Sequence, residues 1–505
     1  MKTFIAVVTL ALLVAAANLS GIRSASAMEL DWGGQFRAEA NMIHNYTMDS
    51  SDKVSPDARL GQGGYYIPPA GSNSANFQNL FLKLRPKLVV NDNIYVRSEW
   101  WFGDPIFGLY GNAAPYTPDQ RQFYSTQSRG STITAQRFWA EILSDFGTFH
   151  LGRAPLHWGL GIVWNSGDNL WDRYESTGDV IRLVSKFGAF SFIPSYVSYS
   201  MGNTVGGSCT YVAGTGCVPT GSGGQMTDYS LILKYENPDE ELEGGVNFIK
   251  RIAGASQDPG VPAGTAGYRG LRGVPEGMNY NTWDLFGRKK LGKFMLAGEV
   301  PITTGHIGGV DYSSYAIAAE VDWKLTEMWQ VDLRAGHAPG SVDKVFYFNP
   351  NYHLGMIMFN YQLANMSGLQ TLNNPAATPS LLASPYDNPI VNANYLSIKG
   401  HLKTDKWDFH ATWAYAKAVH PAVAGQSFFN TWTRNVVVAN TNQDSSLGWE
   451  MDYGALFQWD DNFQFGADIG FYFPGAFYKF SNAASGVENA TNTVWATNFR
   501  AGVNF

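Results

Sequence analysis

The residues able to do chemistry in this chain are charges set at every second position. Arg37, Lys83, Arg85, Lys87, Arg97, Arg137, Arg153 and Arg182 recur early, with Glu39, Glu99 and Glu141 among them. Glu299, Glu320, Asp322, Asp332, Glu450, Asp452 and Asp468 recur later, with Lys324, Arg334 and Lys399 among them. The chemistry of such a set is electrostatic. A basic wall facing an acidic wall orients dipolar solutes and repels apolar ones. The other reading is that the charges pair across neighbouring strands and only keep an interior wet. Nothing points to covalent catalysis. There is no G-x-S-x-G elbow, no H-E-x-x-H, no Walker sequence and no G-x-G-x-x-G opening a helix. The nine His are scattered, and no enzyme activity and no cofactor are expected.

A second group lies between Ala154 and Thr177. Trp158, Trp164 and Trp171 could stack on sugar rings, or could pack a constriction loop on itself. Gly159 and Gly161 let that loop turn sharply. Its Asp168, Asp172 and Glu175 do not have the spacing of a Ca²⁺ EF-hand, and no metal is assigned there. Cys209 and Cys217 stand in a Gly/Thr-rich stretch. In an oxidising compartment they read as a small-loop disulfide, with two free thiols as the alternative.

Alternating charges need strands to present them. Leu80, Leu82, Leu84, Leu88 and Val90 alternate with Lys83, Arg85 and Lys87. Tyr315, Ile317, Ala319, Val321 and Trp323 oppose Glu320, Asp322 and Lys324. Trp449, Met451, Tyr453, Ala455 and Phe457 oppose Glu450 and Asp452. A period of two with one apolar and one charged face is a strand between lipid and water. The first such strand is expected over Leu30 to His44, and the last ends on Phe505. Tight turns are expected at Asn91-Asp92-Asn93, Asp145-Phe146-Gly147, Phe187-Gly188, Asn237-Pro238-Asp239, Lys290-Leu291-Gly292, Thr326-Glu327, Asp405-Lys406 and Asp460-Asp461-Asn462. These eight join sixteen strands, and the first and last make eighteen, within two either way. The other nine connections are expected to be long. Short turns on one side and long loops on the other are the loop asymmetry of a transmembrane β-barrel. The fold class is therefore all-β: one transmembrane antiparallel barrel with short periplasmic turns and long extracellular loops.

Composition agrees. Mean hydropathy is −0.17, aromatics are 14% and charged residues 15%. A barrel that is apolar outside, polar inside and girdled with aromatics gives that mixture. Lys2, the apolar run Phe4 to Ala17 and Ala25-Ser26-Ala27 read as a signal peptide over residues 1–27. The barrel then spans 28–505, and losing Lys2 and Arg23 takes the formal charge from −7 to −9. No later apolar run is long enough for a transmembrane helix. No basic, aromatic-interleaved patch suggests nucleic acid.

Eighteen strands enclose more space than wall side chains fill, so the lumen is a channel or is plugged. The stretch Met356-Ile357-Met358-Phe359, inside the long Pro-rich connection from Ala338 to Ala393, suits the mouth of a barrel or a neighbouring subunit better than water.

Over its mature length the chain resembles the Gram-negative outer-membrane porins. The strand count is similar to that of the eighteen-stranded substrate-specific porins and alginate-export-type barrels. Gly152-Arg153-Ala154-Pro155 with Trp158-Gly159-Leu160-Gly161 looks like a segment of predicted porins. The acidic half departs from the basic lumen of alginate exporters. The resemblance implies passive diffusion of small hydrophilic solutes. A selective carbohydrate or polysaccharide channel and a plugged barrel serving as scaffold or adhesin are the alternatives. It also implies outer-membrane lipid and lipopolysaccharide as surroundings, the barrel assembly machinery during biogenesis, and room for a homo-oligomer.

Overall fold

The computed structural model describes residues 29–46, 48, 74–103, 133–199, 209–212, 216–219, 226–253, 278–307, 310–341, 343–361, 363, 386, 388–430, 435–482 and 488–505. Residues 1–27, expected to form a signal peptide, lie outside the described residues. Eighteen wall strands follow in chain order: β1 Gly34–His44, β2 Ser74–Leu84 continued by Lys87–Asn91, β3 Ile94–Phe102, β4 Ile133–Ser144, β5 Gly147–Pro155, β6 Thr177–Phe187, β7 Phe190–Ser198, β8 Thr227–Asn237 and β9 Leu242–Ala253. Then come β10 Met278–Leu291, β11 Phe294–Ile307, β12 Val310–Tyr315 continued by Ile317–Lys324, β13 Trp329–Ala338, β14 Ala393–Lys403, β15 Trp407–Lys417, β16 Ser446–Gln458, β17 Phe463–Pro474 and β18 Val494–Asn504. Each pairs antiparallel with the next. β1 pairs with β18 from Gln35↔Asn504 to His44↔Trp495, which closes the barrel. Closure leaves no sheet edge, and a membrane tolerates backbone only on that condition. Among the described residues no helix is long and apolar enough to cross a membrane; the chain crosses with strands.

All eight expected tight turns are present. Each has a local cause. At Pro238–Glu240 the Asn237 side chain accepts from the Asp239 and Glu240 amides. At the turn before β17, Asp460 Oδ1 accepts from the Asn462 and Phe463 amides. The other side differs from expectation at one place. Ile307 pairs with Val310, so only two residues separate β11 from β12. Those residues are Gly308-Gly309, a two-residue hairpin signal that outweighs the expected long loop.

The first strand also differs from the expected Leu30 to His44. Glu29–Asp31 is separate and pairs with Lys87, Leu88 and Val89 of β2. The break falls at Gly33-Gly34, where the barrel seam crosses. Gly34 and Phe505 exchange backbone hydrogen bonds of 2.8 and 3.0 Å. A Cβ on Gly34 would stand 2.7 Å from the Phe505 ring, so only glycine lets the chain ends approach.

The alternation sorts the faces. Phe36, Trp100, Phe138, Leu151, Ile181, Leu233, Trp283, Ile317, Trp323, Met451 and Ile469 are exposed on the outside, where lipid would cover them. Arg37, Glu39, Lys83, Glu99, Arg137, Asp284, Glu299 and Glu450 are buried inside. The main apolar core is also inside. Ile43, Ala316, Ala414 and Tyr395 of the wall pack on Ile162, Phe348, Ile357 and Tyr361, all from two connections folded into the lumen. Burying such groups stabilises the docked loops by roughly 25 cal/mol per Å² of apolar surface.

Candidate functional site

The first inward connection runs over residues 156–176, between β5 and β6, and docks on the basic wall. Lys83 Nζ on β2 stands 2.8 Å from Glu175 Oε1 and donates to the Gly167 carbonyl. Arg137 on β4 reaches Asp168 Oδ1 at 2.9 Å and Glu175 Oε2 at 3.3 Å, and donates to the Ser166 carbonyl. Arg85 bridges Asp168 at 2.6 Å and Glu99 at 2.8 Å. Arg37 on β1 donates to the Leu170 and Asp172 carbonyls. Glu39, its neighbour on the same face, pairs with Arg173 of the loop. Burial works to raise the Asp168 carboxyl, but the Arg137 and Arg85 guanidiniums outweigh it and hold it below the usual carboxylate range. The basic wall is therefore a socket for this loop.

The acidic wall holds the other side. Glu299 Oε2 on β11 accepts from the Leu160 and Gly161 amides, the latter at 3.0 Å. Gly159 makes this approach with φ +60, and a Cβ there would lie 2.5 Å from the same oxygen. The second inward connection, between β13 and β14, docks in the same way on β16 through its described residues 356–358. Glu450 accepts from the Ile357 and Met358 amides, and Asp452 Oδ2 accepts from the Met356 amide at 3.0 Å. A carboxylate aimed at successive backbone amides makes charge-assisted bonds, the stronger kind.

The two connections then clasp each other. Asn351 Oδ1 accepts from the Arg173 and Tyr174 amides, and its Nδ2 donates to the Tyr174 carbonyl at 2.6 Å. The Asn349 amide donates to the Ile162 carbonyl at 2.8 Å, and Arg173 lies 3.9 Å over the Tyr386 ring. Two cavities flank the clasp. One of about 280 Å³ is bounded by His353, Gly355 and Met356, with Arg334, Lys399, Asp468 and Arg500 of the wall. The other, about 210 Å³, is bounded by Asn349 and Pro350, with Arg251, Tyr280 and Tyr312. Burial and the nearby Arg334, Arg173, Lys399 and Arg500 push His353 down to about 4, so its ring is neutral at pH 7.

The remaining charges expected in the lumen fall as follows. Lys87 pairs with Asp31, and Arg97 with Glu141 at 2.9 Å. Arg182 donates to the Pro155 carbonyl. Glu320 pairs with Arg334, Asp332 with His401, and Asp468 with both His410 and Arg500. Asp322 faces inward, half-buried, with no ion pair among the described residues. Arg153 does not line the lumen. It shares the outward face of β5 with Leu151 and pairs at 2.8 Å with Asp179, cross-strand on β6. The reason is strand parity: Leu151 and Arg153 are two residues apart, so they share a face.

The loop tryptophans separate. Trp158 packs on Phe286 and Ile232, and Trp164 on Ala154, Val180, Val197 and Ile249, both buried. Only Trp171 borders the larger cavity, under Arg500 at 5.0 Å. Cys209–Val212 and Gly216–Pro219 form a small hairpin in which Cys217 pairs with Tyr211 and Cys209 with Pro219; the cysteine side chains lie outside the described residues. Sequence reading missed His401, His410, Arg500, Asn247 and Asp284. Their signal was available, since all share the inward parity of their strands. Among the described residues no three His, Cys, Asp or Glu side chains stand together as a metal site.

No family model matches the chain, and no curated protein does. Solved structures of similar shape exist. OccK9 (OpdG) of Pseudomonas aeruginosa is 10% identical, covering 94% of this chain and 99% of its own, with TM-score 0.48. An anion-selective porin from Comamonas acidovorans is 9% identical over 95% and 100%, with TM-score 0.40. OmpT of Vibrio cholerae is 12% identical over 96% and 100%, with TM-score 0.36. What the chain's own geometry establishes is a closed, eighteen-stranded, membrane-spanning barrel whose lumen is narrowed by two interlocked loops.

Proposed function

We propose that the chain is an outer-membrane porin for small hydrophilic solutes, with the clasp between its two inward loops as the constriction. One observation carries this: residues 349–356 stand between two cavities of about 280 and 210 Å³, the larger lined mainly by charged and polar side chains and the smaller by aromatic rings around Arg251. Cavities of this size on either side of the clasp have room for small solutes. The burial of Trp158 and Trp164 against the wall argues against a sugar-stacking track. The wall charges left to act on solutes are Asp322 and those around the larger cavity, chiefly Arg334, Lys399, Asp468 and Arg500.

The test is single-channel recording of the purified full chain in a planar bilayer. A small, steady conductance is expected, reduced by small charged solutes on the turn side. Silence under all voltages would favour the plugged scaffold instead. Lipid and lipopolysaccharide around the apolar belt, folding by the barrel assembly machinery, and residues 1–27 as a cleaved signal peptide belong to the same reading. So does a Cys209–Cys217 disulfide. Intact-mass measurement with and without reductant checks the last two.

A further inference from the structure

The inner faces of β9, β10 and β11 carry a group of polar side chains that the loop docking leaves unused. Asp284 is 0% exposed and no N–H or O–H donor meets either of its carboxylate oxygens; its carboxyl stands directly against that of Glu299. Glu299 is also 0% exposed; Oε2 holds the loop amides, but Oε1 has no partner. Asn247 is 0% exposed with both amide atoms unpartnered. The register gathers them. Asn247 pairs directly with Asp284, and Glu299 pairs with Phe286, two residues along β10 on the same face. Trp158 closes the space by packing on Phe286 and on Ile232, the cross-strand partner of Asn247.

Two adjoining buried carboxylates need compensation, by a proton held between them or by a cation, and the loop amides reach only Glu299. Leaving each uncompensated costs several kcal/mol. Neither forms an ion pair with a Lys or Arg among the described residues. The second acidic pair shows the contrast, because Glu450 and Asp452 are met by three backbone amides. At Asp284 no amide is offered.

We propose that Asp284, Glu299 and Asn247 bind a hard divalent cation, calcium in particular, beneath Trp158. One divalent charge cancels both carboxylates. The donors are all oxygens: the Asp284 carboxylate, Glu299 Oε1 and Asn247 Oδ1. Calcium takes six to eight oxygen ligands in adaptable geometry, with water or carbonyls completing the shell, whereas magnesium demands a near-ideal octahedron. The ion sits behind the Gly159–Gly161 turn and so ties the first loop to the wall.

The experiment uses the full chain refolded free of lipopolysaccharide, stripped with EDTA and then freed of it. Terbium is titrated with excitation of tryptophan, since Trp158 lies over the site. One bound ion per chain is expected, displaced by calcium. Asp284→Asn should weaken binding at least about tenfold, and Asp311→Asn, at an exposed hairpin, should leave it unchanged. Calorimetry of calcium binding to the unaltered protein decides the matter even if the Asp284 variant misfolds. No calcium binding there, or undiminished binding in both Asp284→Asn and Glu299→Gln, overturns the proposal.

Discussion

Lys83 shows how an inward charge is spent. It is 2% exposed, between Glu175 and Glu99, with the Trp101 ring 5.6 Å away. Removing one partner from a buried ion pair costs about 3–5 kcal/mol because the other charge stays buried. Lys83→Met should therefore free residues 156–176 and raise conductance, with reversal potential changing little. Asp322 is the opposite case. It faces the lumen with no ion pair among the described residues, so it acts on passing ions and not on a loop. Asp322→Asn should shift reversal potential toward anions at low salt, where charges are least screened, with conductance nearly unchanged. The opposite pattern in the two variants would reverse the roles assigned to them.

At the level of elements, both loops depend on glycine where a carboxylate meets backbone. A Cβ on Gly355 would lie 2.6 Å from Glu450 Oε1, as one on Gly159 would lie 2.5 Å from Glu299 Oε2. Gly355→Ala and Gly159→Ala should each loosen one loop, seen as noisier and larger openings. Deleting about twenty residues around Met356 to Phe359 should raise conductance severalfold while the barrel survives, since loop length is tolerated more readily than wall defects. Acid should loosen the second loop too. His353 is held down to about 4 from 6.5 while docked. The undocked loop then binds the extra proton between those values, so docking is fully stable above about 6.5 and weakens as pH falls toward 4. The loss approaches about 3 kcal/mol. Open probability should thus rise between pH 7.5 and 5, and a His353→Gln variant should lose that dependence. An unchanged slope in the variant would assign the effect to other groups.

For the whole molecule, closure and loop asymmetry fix orientation. The turn at Leu291–Phe294, which carries Lys293 and follows Lys290, lies on the same side as the other seven tight turns. Trypsin added to intact cells should spare it and cut within residues 254–277, which carry Arg269 and Arg272. Cleavage at Lys290 or Lys293 first would invert the topology. The barrel should also migrate faster in detergent gels before boiling than after. Every wall strand is paired on both sides, so no edge opens first.

The alternation of apolar and charged residues settled by itself which positions face lipid, because a strand's side chains repeat every two residues. It also settled the eight tight turns, whose Asn, Asp and Gly residues act locally. Arg153 was misread because charge was taken as a sign of the lumen, although its parity with Leu151 placed it outside. Gly308-Gly309 was a local signal passed over. What sequence could not supply is which inward charges touch which loop. Glu299 and Leu160 are 139 residues apart, and Glu450 and Ile357 are 93 apart. No local rule links them. Only closure of the barrel brings the docked amides within reach of the wall carboxylates, turning what reads as a charged pore lining into two loop sockets.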